Sequence, residues 1–178
     1  MKLFKTWVQI PPAPKLNNHF MITDNILEEF FNTTDLNIRT PLCEIMSKFG
    51  SDKGNDTHHN YTRLYNYIFS AYREKPINLF EVGLGTNNLN VQSNMGLEGK
   101  PGASLYGWRE YFFNANIYGA DIDKNILFDS KNIKTFFIDQ LNTETIKVLF
   151  DQTLKDIEFD IIIDDGLHTF EANSNFFH

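Results

Sequence analysis

The chain has 178 residues, of which 42% are hydrophobic and 22% charged, and its formal net charge is −7. This composition is typical of a single globular domain, and the negative charge argues against nucleic acid or an anionic membrane as a partner. The lone cysteine, Cys43, excludes an internal disulfide and favours the reducing cytoplasm. No apolar stretch reaches the roughly 20 residues needed to cross a bilayer, so a membrane span is not expected.

The first 75 residues are expected to form a leader and a helical segment. Residues 1–20 carry Pro11, Pro12 and Pro14 and are expected to be an extended or disordered leader. Segment 21–75 is expected to combine helices with a polar, lid-like loop. The helices are expected at 24–31, 41–49 and 61–74, with the loop at 49–60.

Strand-like apolar runs begin after Pro76. Four strands are expected, at 77–82, 117–121, 134–139 and 159–163, with helices at 103–113 and 143–156. The last strand is apolar throughout, as expected for a strand buried on both faces of a parallel sheet. Segment 76–178 is therefore predicted to be a partial Rossmann-like domain, a doubly wound α/β sheet represented by its first four strands. In the usual order of such a sheet these strands are arranged 3-2-1-4.

A glycine turn follows the first of these strands. In EVGLGT (81–86), Gly83 and Gly85 allow a sharp turn and a close approach of the backbone to a ligand. Asp121 ends the second strand, where a carboxylate can accept hydrogen bonds from both hydroxyls of a ribose. Asp139 ends the third strand, although an acid there can equally hold the amides of its own loop. These strand ends together suit a nucleoside.

The fourth strand runs into DDGLH (164–168). Asp164, Asp165 and His168 would lie beyond the carboxyl end of a parallel strand, where ligands bind in such sheets. The two aspartates could instead cap the following helix, and His168 taken alone could be a surface histidine. The residues by themselves leave these alternatives open.

The combination of EVGLGT, YGADID (118–123) and DDGLH at this spacing resembles the class I S-adenosylmethionine-dependent methyltransferases. Segment 102–123 narrows the resemblance to macrolide sugar O-methyltransferases of the mycinamicin and macrocin type, which carry a similar SL..W..YF helix. The resemblance implies a methyltransferase with S-adenosylmethionine as cofactor and a sugar or similar hydroxylated small molecule as acceptor.

The resemblance also implies roles for single residues around the cofactor. Asp121 would hold the ribose, and Asp164 would serve either the cofactor or the geometry of its loop. The methionine part would be bordered by Glu81, Gly83 and Gly85, and the adenine by Asp139 and Gln140.

The DDGLH loop would supply the chemistry by the same resemblance. Asp165 matches a metal ligand, for which Mg²⁺ is the expected ion, and His168 matches a general base. A sugar hydroxyl is a poor nucleophile, so a divalent cation that lowers its pKa and an imidazole that takes its proton make chemical sense.

The chain also departs from the family pattern. Further acidic metal ligands would follow the next strand of a complete fold, and no residue here matches them. The fourth strand would then be an uncovered apolar edge, which predicts self-association through that strand. An inactive, truncated methyltransferase fragment with residual nucleoside binding is therefore an alternative.

Two further interpretations stay open. An NAD-dependent oxidoreductase or epimerase would also use a glycine turn and an acid after the second strand, but Asn88 stands at the third glycine position of that motif. His58 and His59 lie in the lid-like loop and could suggest zinc, although adjacent residues rarely supply two ligands to one ion.

Overall fold

A computed structural model describes residues 7–10, 20–21, 24–54 and 61–177 of the chain. Within them, six strands form one sheet: β1 (Trp7–Ile10), β2 (Phe20–Met21), β3 (Asn78–Val82), β4 (Asn116–Asp121), β5 (Ile133–Phe137) and β6 (Ile161–Asp164). The order across the sheet is β2-β1-β6-β3-β4-β5.

The four strands β3 to β6 are parallel and form the predicted Rossmann-like core. β3 lies between β4 and β6, with Glu81 opposite Gly119 on one side and Ile163 on the other. β5 pairs with the outer side of β4. If β3 to β6 are numbered 1 to 4 along the chain, they lie across the sheet in the order 3-2-1-4. This order confirms the fold class expected from the sequence.

The edge of β6 differs from the expectation. β1 runs antiparallel to β6, with Val8 opposite Ile163 and Gln9 opposite Ile162, and β2 pairs with the other side of β1. The expectation of an uncovered fourth strand was wrong, because β1 takes the backbone hydrogen-bonding groups of β6 that an edge would expose. The predicted route to self-association through an exposed β6 therefore has no support in this arrangement.

Among the described residues, six α-helices accompany the sheet: α1 (Asp24–Thr33), α2 (Pro41–Phe49), α3 (Thr62–Phe69), α4 (Ala103–Tyr111), α5 (Thr143–Lys147) and α6 (Phe170–Phe177). The Thr40 side chain accepts a hydrogen bond from the Cys43 amide at the start of α2, and Gly50 ends that helix with a φ of 77°. A π-helical segment, Val148–Thr153, directly continues α5. Within the described residues, no helix has both the length and the apolar character of a membrane span.

Neighbouring residues of β3 contribute to two different hydrophobic cores, one on each face of the sheet. Leu79 belongs to a core with α2, α3 and α4, in which Trp108 and Phe69 are fully buried. Phe80 belongs to the other core, where its ring packs on Phe159 and Phe176. This alternation follows from the two-residue period of a strand and explains the apolar runs in the sequence.

Leu79 offers a test of this packing. Leu79→Ala removes a fully buried side chain from the first core, so we expect the free energy of unfolding to fall by about 2–5 kcal/mol. The control is Leu97→Ala, because that side chain is 75% exposed, and its effect should stay within about 0.5 kcal/mol. Urea denaturation measures both, and equal losses would contradict the assignment of Leu79 to the core.

Candidate functional site

A cleft of about 1150 Å³ opens at the carboxyl ends of the four parallel strands. The loops that follow β3, β4, β5 and β6 line it. Residues of the 51–54 segment and of the 87–102 loop line it as well. Seven of the residues predicted from the sequence line this cleft: Gly83, Gly85, Asp121, Asp139, Gln140, Asp165 and His168.

The glycine turn after β3 has the backbone geometry that only glycine adopts easily. Gly83 and Gly85 have φ angles of 89° and 78°. A Cβ atom on Gly83 would lie 2.3 Å from the carbonyl oxygen of Asp165, and one on Gly85 would collide with Met95. The turn therefore brings the loops after β3 and β6 into direct backbone contact.

Asp121, at the end of β4, presents an oriented carboxylate to the cleft. Its Oδ2 accepts a hydrogen bond from the Leu84 amide at 2.7 Å, and its Oδ1 accepts one from the Asp123 amide at 2.9 Å. Burial raises the pKa of Asp121, and these backbone hydrogen bonds act in the opposite direction. Since a carboxylate has about four acceptor positions, the two bonds leave capacity for a ligand.

Asp123 and Thr86 form a second contact between the same two loops, which the sequence analysis did not identify. The Thr86 hydroxyl donates to Asp123 at 2.5 Å, and the Asn125 amide donates to the other oxygen of Asp123. These bonds, the one from Thr86 first, lower the pKa of Asp123. In the sequence, the second acid of YGADID was the feature that could have indicated this contact. In the structure, this acid, Asp123, holds the glycine turn through Thr86.

The loop after β5 is tied to the loop after β6 by Gln140. Its Nε2 donates to both oxygens of Asp164, at 3.0 and 3.1 Å, and its Oε1 accepts from the Leu167 amide at 2.8 Å. Asp164 is fully buried and also accepts from Asn173 and from the Gly166 amide. Asp164 does not line the cleft, so its contacts are those of a residue that holds the DDGLH loop in shape.

Asp139 lies on the cleft wall and also stabilises its own turn. Its Oδ1 accepts a hydrogen bond from the Leu141 amide at 2.9 Å. This is the loop-acid role that the sequence left open, and it coexists with a position facing the cleft.

Glu81 lies behind the cleft wall, fully buried in β3. Ser104 donates to its Oε1 at 2.5 Å, and the indole of Trp108 donates to its Oε2. Burial raises the pKa of Glu81, although the nearby Lys53 ammonium opposes that shift. Its contacts join β3 to α4 and to Lys53, so any effect on the cofactor would be indirect.

Lys53 is the principal site residue that the sequence analysis missed. Its ammonium contacts the Asp165 carboxylate and lies 3.3 Å from Oε1 of Glu81. Burial opposes the charged form, but Asp165 and Glu81 outweigh it, so the pKa of Lys53 lies well above its usual value. The residues SDKG (51–54) lie in the loop that the sequence analysis described as lid-like, but the reach of this lysine depends on how the segment packs against α2.

The DDGLH loop places a half-buried carboxylate, Asp165, and an exposed imidazole, His168, on the cleft. Within the described residues no group of three His, Cys, Asp or Glu side chains could hold a metal ion. Magnesium prefers oxygen ligands and commonly keeps several waters. Asp165 therefore fits as a single protein ligand, and water and substrate would supply the remaining ligands. His58 and His59 lie outside the described residues.

Comparisons with known proteins place the chain beside macrolide-pathway sugar O-methyltransferases. Mycinamicin VI 2''-O-methyltransferase of Micromonospora griseorubida is 30% identical over 127 residues, 71% of this chain and 29% of that protein. Demethylmacrocin O-methyltransferase of Streptomyces fradiae is 29% identical over 137 residues, 77% of this chain and 32% of that protein. The MycE methyltransferase of the mycinamycin pathway, solved with Mg and SAH, matches with a TM-score of 0.62 and 29% identity over 79% of this chain and 35% of that one.

These similarities confirm the resemblance that the motifs predicted. The chain spans about a third of the length of the curated relatives it matches. No protein-family model matches it.

The contact at Gly83 can be tested against a glycine with similar backbone geometry. Gly83 and Gly96 both have positive φ angles, but a Cβ on Gly96 would meet nothing within 4 Å. Gly96→Ala should therefore cost only the backbone strain, about 1–2 kcal/mol. Gly83→Ala should cost about 1–3 kcal/mol more, because the Asp165 backbone has to move. Urea denaturation compares the two, and equal losses would contradict the close contact.

Proposed function

We propose that this chain, a relative of macrolide-pathway sugar O-methyltransferases, binds S-adenosylmethionine in the cleft and transfers its methyl group to a hydroxyl of a sugar-bearing small molecule. The observation that carries the proposal is that the glycine turn, Asp121 and the DDGLH loop line one cleft. The MycE structure that matches this fold was solved with SAH, the product form of this cofactor.

The cleft offers a surface for each part of the cofactor. The methionine part would lie along Gly83 and Gly85, where the backbone can approach it closely. The ribose hydroxyls would donate to Asp121, whose carboxylate is already oriented by two amides. The adenine would lie among apolar side chains of the cleft wall: Ile122, Ile138 and Leu141. Gln140 has its polar atoms engaged by Asp164 and Leu167, so it would shape this wall rather than read the base.

His168 is proposed as the general base. It lines the cleft, as Asp165 does, and an exposed imidazole can take the proton of an acceptor hydroxyl as the oxygen attacks the sulfonium methyl, the bond from that methyl to sulfur breaks and SAH leaves. Mg²⁺ is proposed as an aid to this step because the MycE structure was solved with Mg. Asp165 would hold the ion, which when bound lowers the pKa of the acceptor hydroxyl.

A cytoplasmic location is also part of the proposal and rests on Cys43 being a free thiol.

Calorimetry tests cofactor binding. We expect SAM and SAH to bind and NAD to bind far more weakly. Asp121→Asn should weaken SAH binding by about 10- to 100-fold, because the amide group replaces an acceptor oxygen with a donor and loses the charge. The matched control is Asp156→Asn, the same chemical change at an exposed position away from the cleft, and it should leave the affinity unchanged.

The outcomes separate the alternatives. Preference for NAD would overturn the methyltransferase proposal in favour of an oxidoreductase or epimerase. Absence of binding to all three ligands would favour a fragment without activity.

The role of His168 can be tested separately from binding. His168→Gln keeps a polar side chain but removes the base, so we expect methyl transfer to a glycosylated macrolide to fall by about 10²- to 10⁴-fold. The Kd for SAH should stay within about twofold, since the imidazole would act on the acceptor rather than on the cofactor. Transfer of a labelled methyl group measures the first quantity and calorimetry the second. An equal loss in both would show that His168 supports the cleft instead of acting as base.

A further inference from the structure

Three charged side chains meet at the cleft: Lys53 and Asp165 line it, and Glu81 lies behind its wall. The Lys53 ammonium contacts Asp165 and lies 3.3 Å from Glu81. Lys53 is 4% exposed and Glu81 fully buried, whereas the Asp165 side chain is 19% exposed. One positive charge therefore serves two carboxylates, of which one faces the cleft and the other does not.

The position of Lys53 is determined by the backbone that carries it. The amide of Ser51 donates to the carbonyl of Met46 at 2.9 Å, and the Ser47 hydroxyl donates to the carbonyl of Gly54 at 3.2 Å. A Cβ on Gly54 would lie 2.9 Å from the Cβ of Met46, so glycine permits this close packing on α2. The segment is thus held against α2 and directs Lys53 toward the ends of β3 and β6.

The two carboxylates differ in how firmly the rest of the protein holds them. Both oxygens of Glu81 have partners besides Lys53, namely the Ser104 hydroxyl and the Trp108 indole. Glu81 cannot turn toward the cleft without breaking these buried bonds. A cation that enters from the cleft would therefore meet Asp165 first and find an ammonium already in contact with it.

We propose that Lys53 competes with a divalent cation for Asp165, and that Glu81 retains the ammonium when the cation binds. The proposal rests on the proposed role of Asp165 as a metal ligand and adds a residue that controls the affinity of that site. Buried ion pairs add little net stability compared with apolar packing, so stability does not by itself account for a buried lysine between two strand ends.

The electrostatic consequence has a definite sign. An ammonium in contact with a carboxylate repels a second cation and occupies one of the directions from which that cation would bind. Removing the ammonium should strengthen cation binding at Asp165. Removing the charge of Glu81 should leave the ammonium more firmly on Asp165 and therefore weaken cation binding there.

The experiment measures Mn²⁺ binding by electron paramagnetic resonance at constant ionic strength, with the whole chain and without cofactor or acceptor. Lys53→Met keeps the length of the side chain but removes its charge, and we expect Mn²⁺ to bind at least about tenfold more tightly. Lys53→Arg keeps the charge and should bind Mn²⁺ much as the unaltered protein does. Adding Asp165→Asn to Lys53→Met should abolish the gain, which locates the ion at Asp165.

A second variant keeps the test decisive if Lys53→Met fails to fold. Glu81→Gln retains a side-chain oxygen for Ser104 but removes the charge that holds Lys53, so Mn²⁺ binding should weaken. Unchanged or weaker binding in a folded Lys53→Met, or unchanged or tighter binding in Glu81→Gln, would overturn the proposal. Since no cofactor is present, failure of S-adenosylmethionine binding would be seen only in the calorimetry and would not mimic either result.

Discussion

The loops that follow β3 and β6 touch at Gly83, and the rest of the cleft depends on that contact. Val82 pairs with Asp164 as the last position of the parallel ladder, and the next residue of each strand leaves the sheet at the same level. The carbonyl of Asp165 then occupies the space where a side chain at position 83 would lie. This close approach places the DDGLH loop beside the glycine turn, so that the two motifs form one wall.

Side-chain hydrogen bonds extend this wall across the other strand ends. Asp121 holds the Leu84 amide, which joins β4 to the turn after β3, and Gln140 joins the loop after β5 to Asp164. Each bond connects loops from different strands and is largely buried, where an unmade hydrogen bond would be costly. The cleft is therefore shaped by the protein itself, as a site that orients a cofactor requires.

The acids of the motifs divide into two groups by their position relative to the cleft. Glu81 and Asp164 are fully buried and do not line it, whereas Asp121, Asp139 and Asp165 do. The motifs alone did not distinguish these groups, because a strand alternates its faces and a loop can turn either way at its end. Lys53 was missed for a related reason. Its partner Glu81 lies 28 residues further along the chain, and its partner Asp165 lies 112 residues further.

By itself, the sequence determined the four strands and the strand ends at which ligands would bind, and their order was expected as the usual one of a doubly wound sheet. The reason is local: apolar runs of strand length and glycine turns are read within a few residues of chain. Only the tertiary structure decided that β1 covers the edge of β6, that Glu81 and Asp164 face inward, and that the ammonium of Lys53 lies on Asp165. These features arise from contacts between distant segments, whose distances and burial exist only once the sheet and helices have packed.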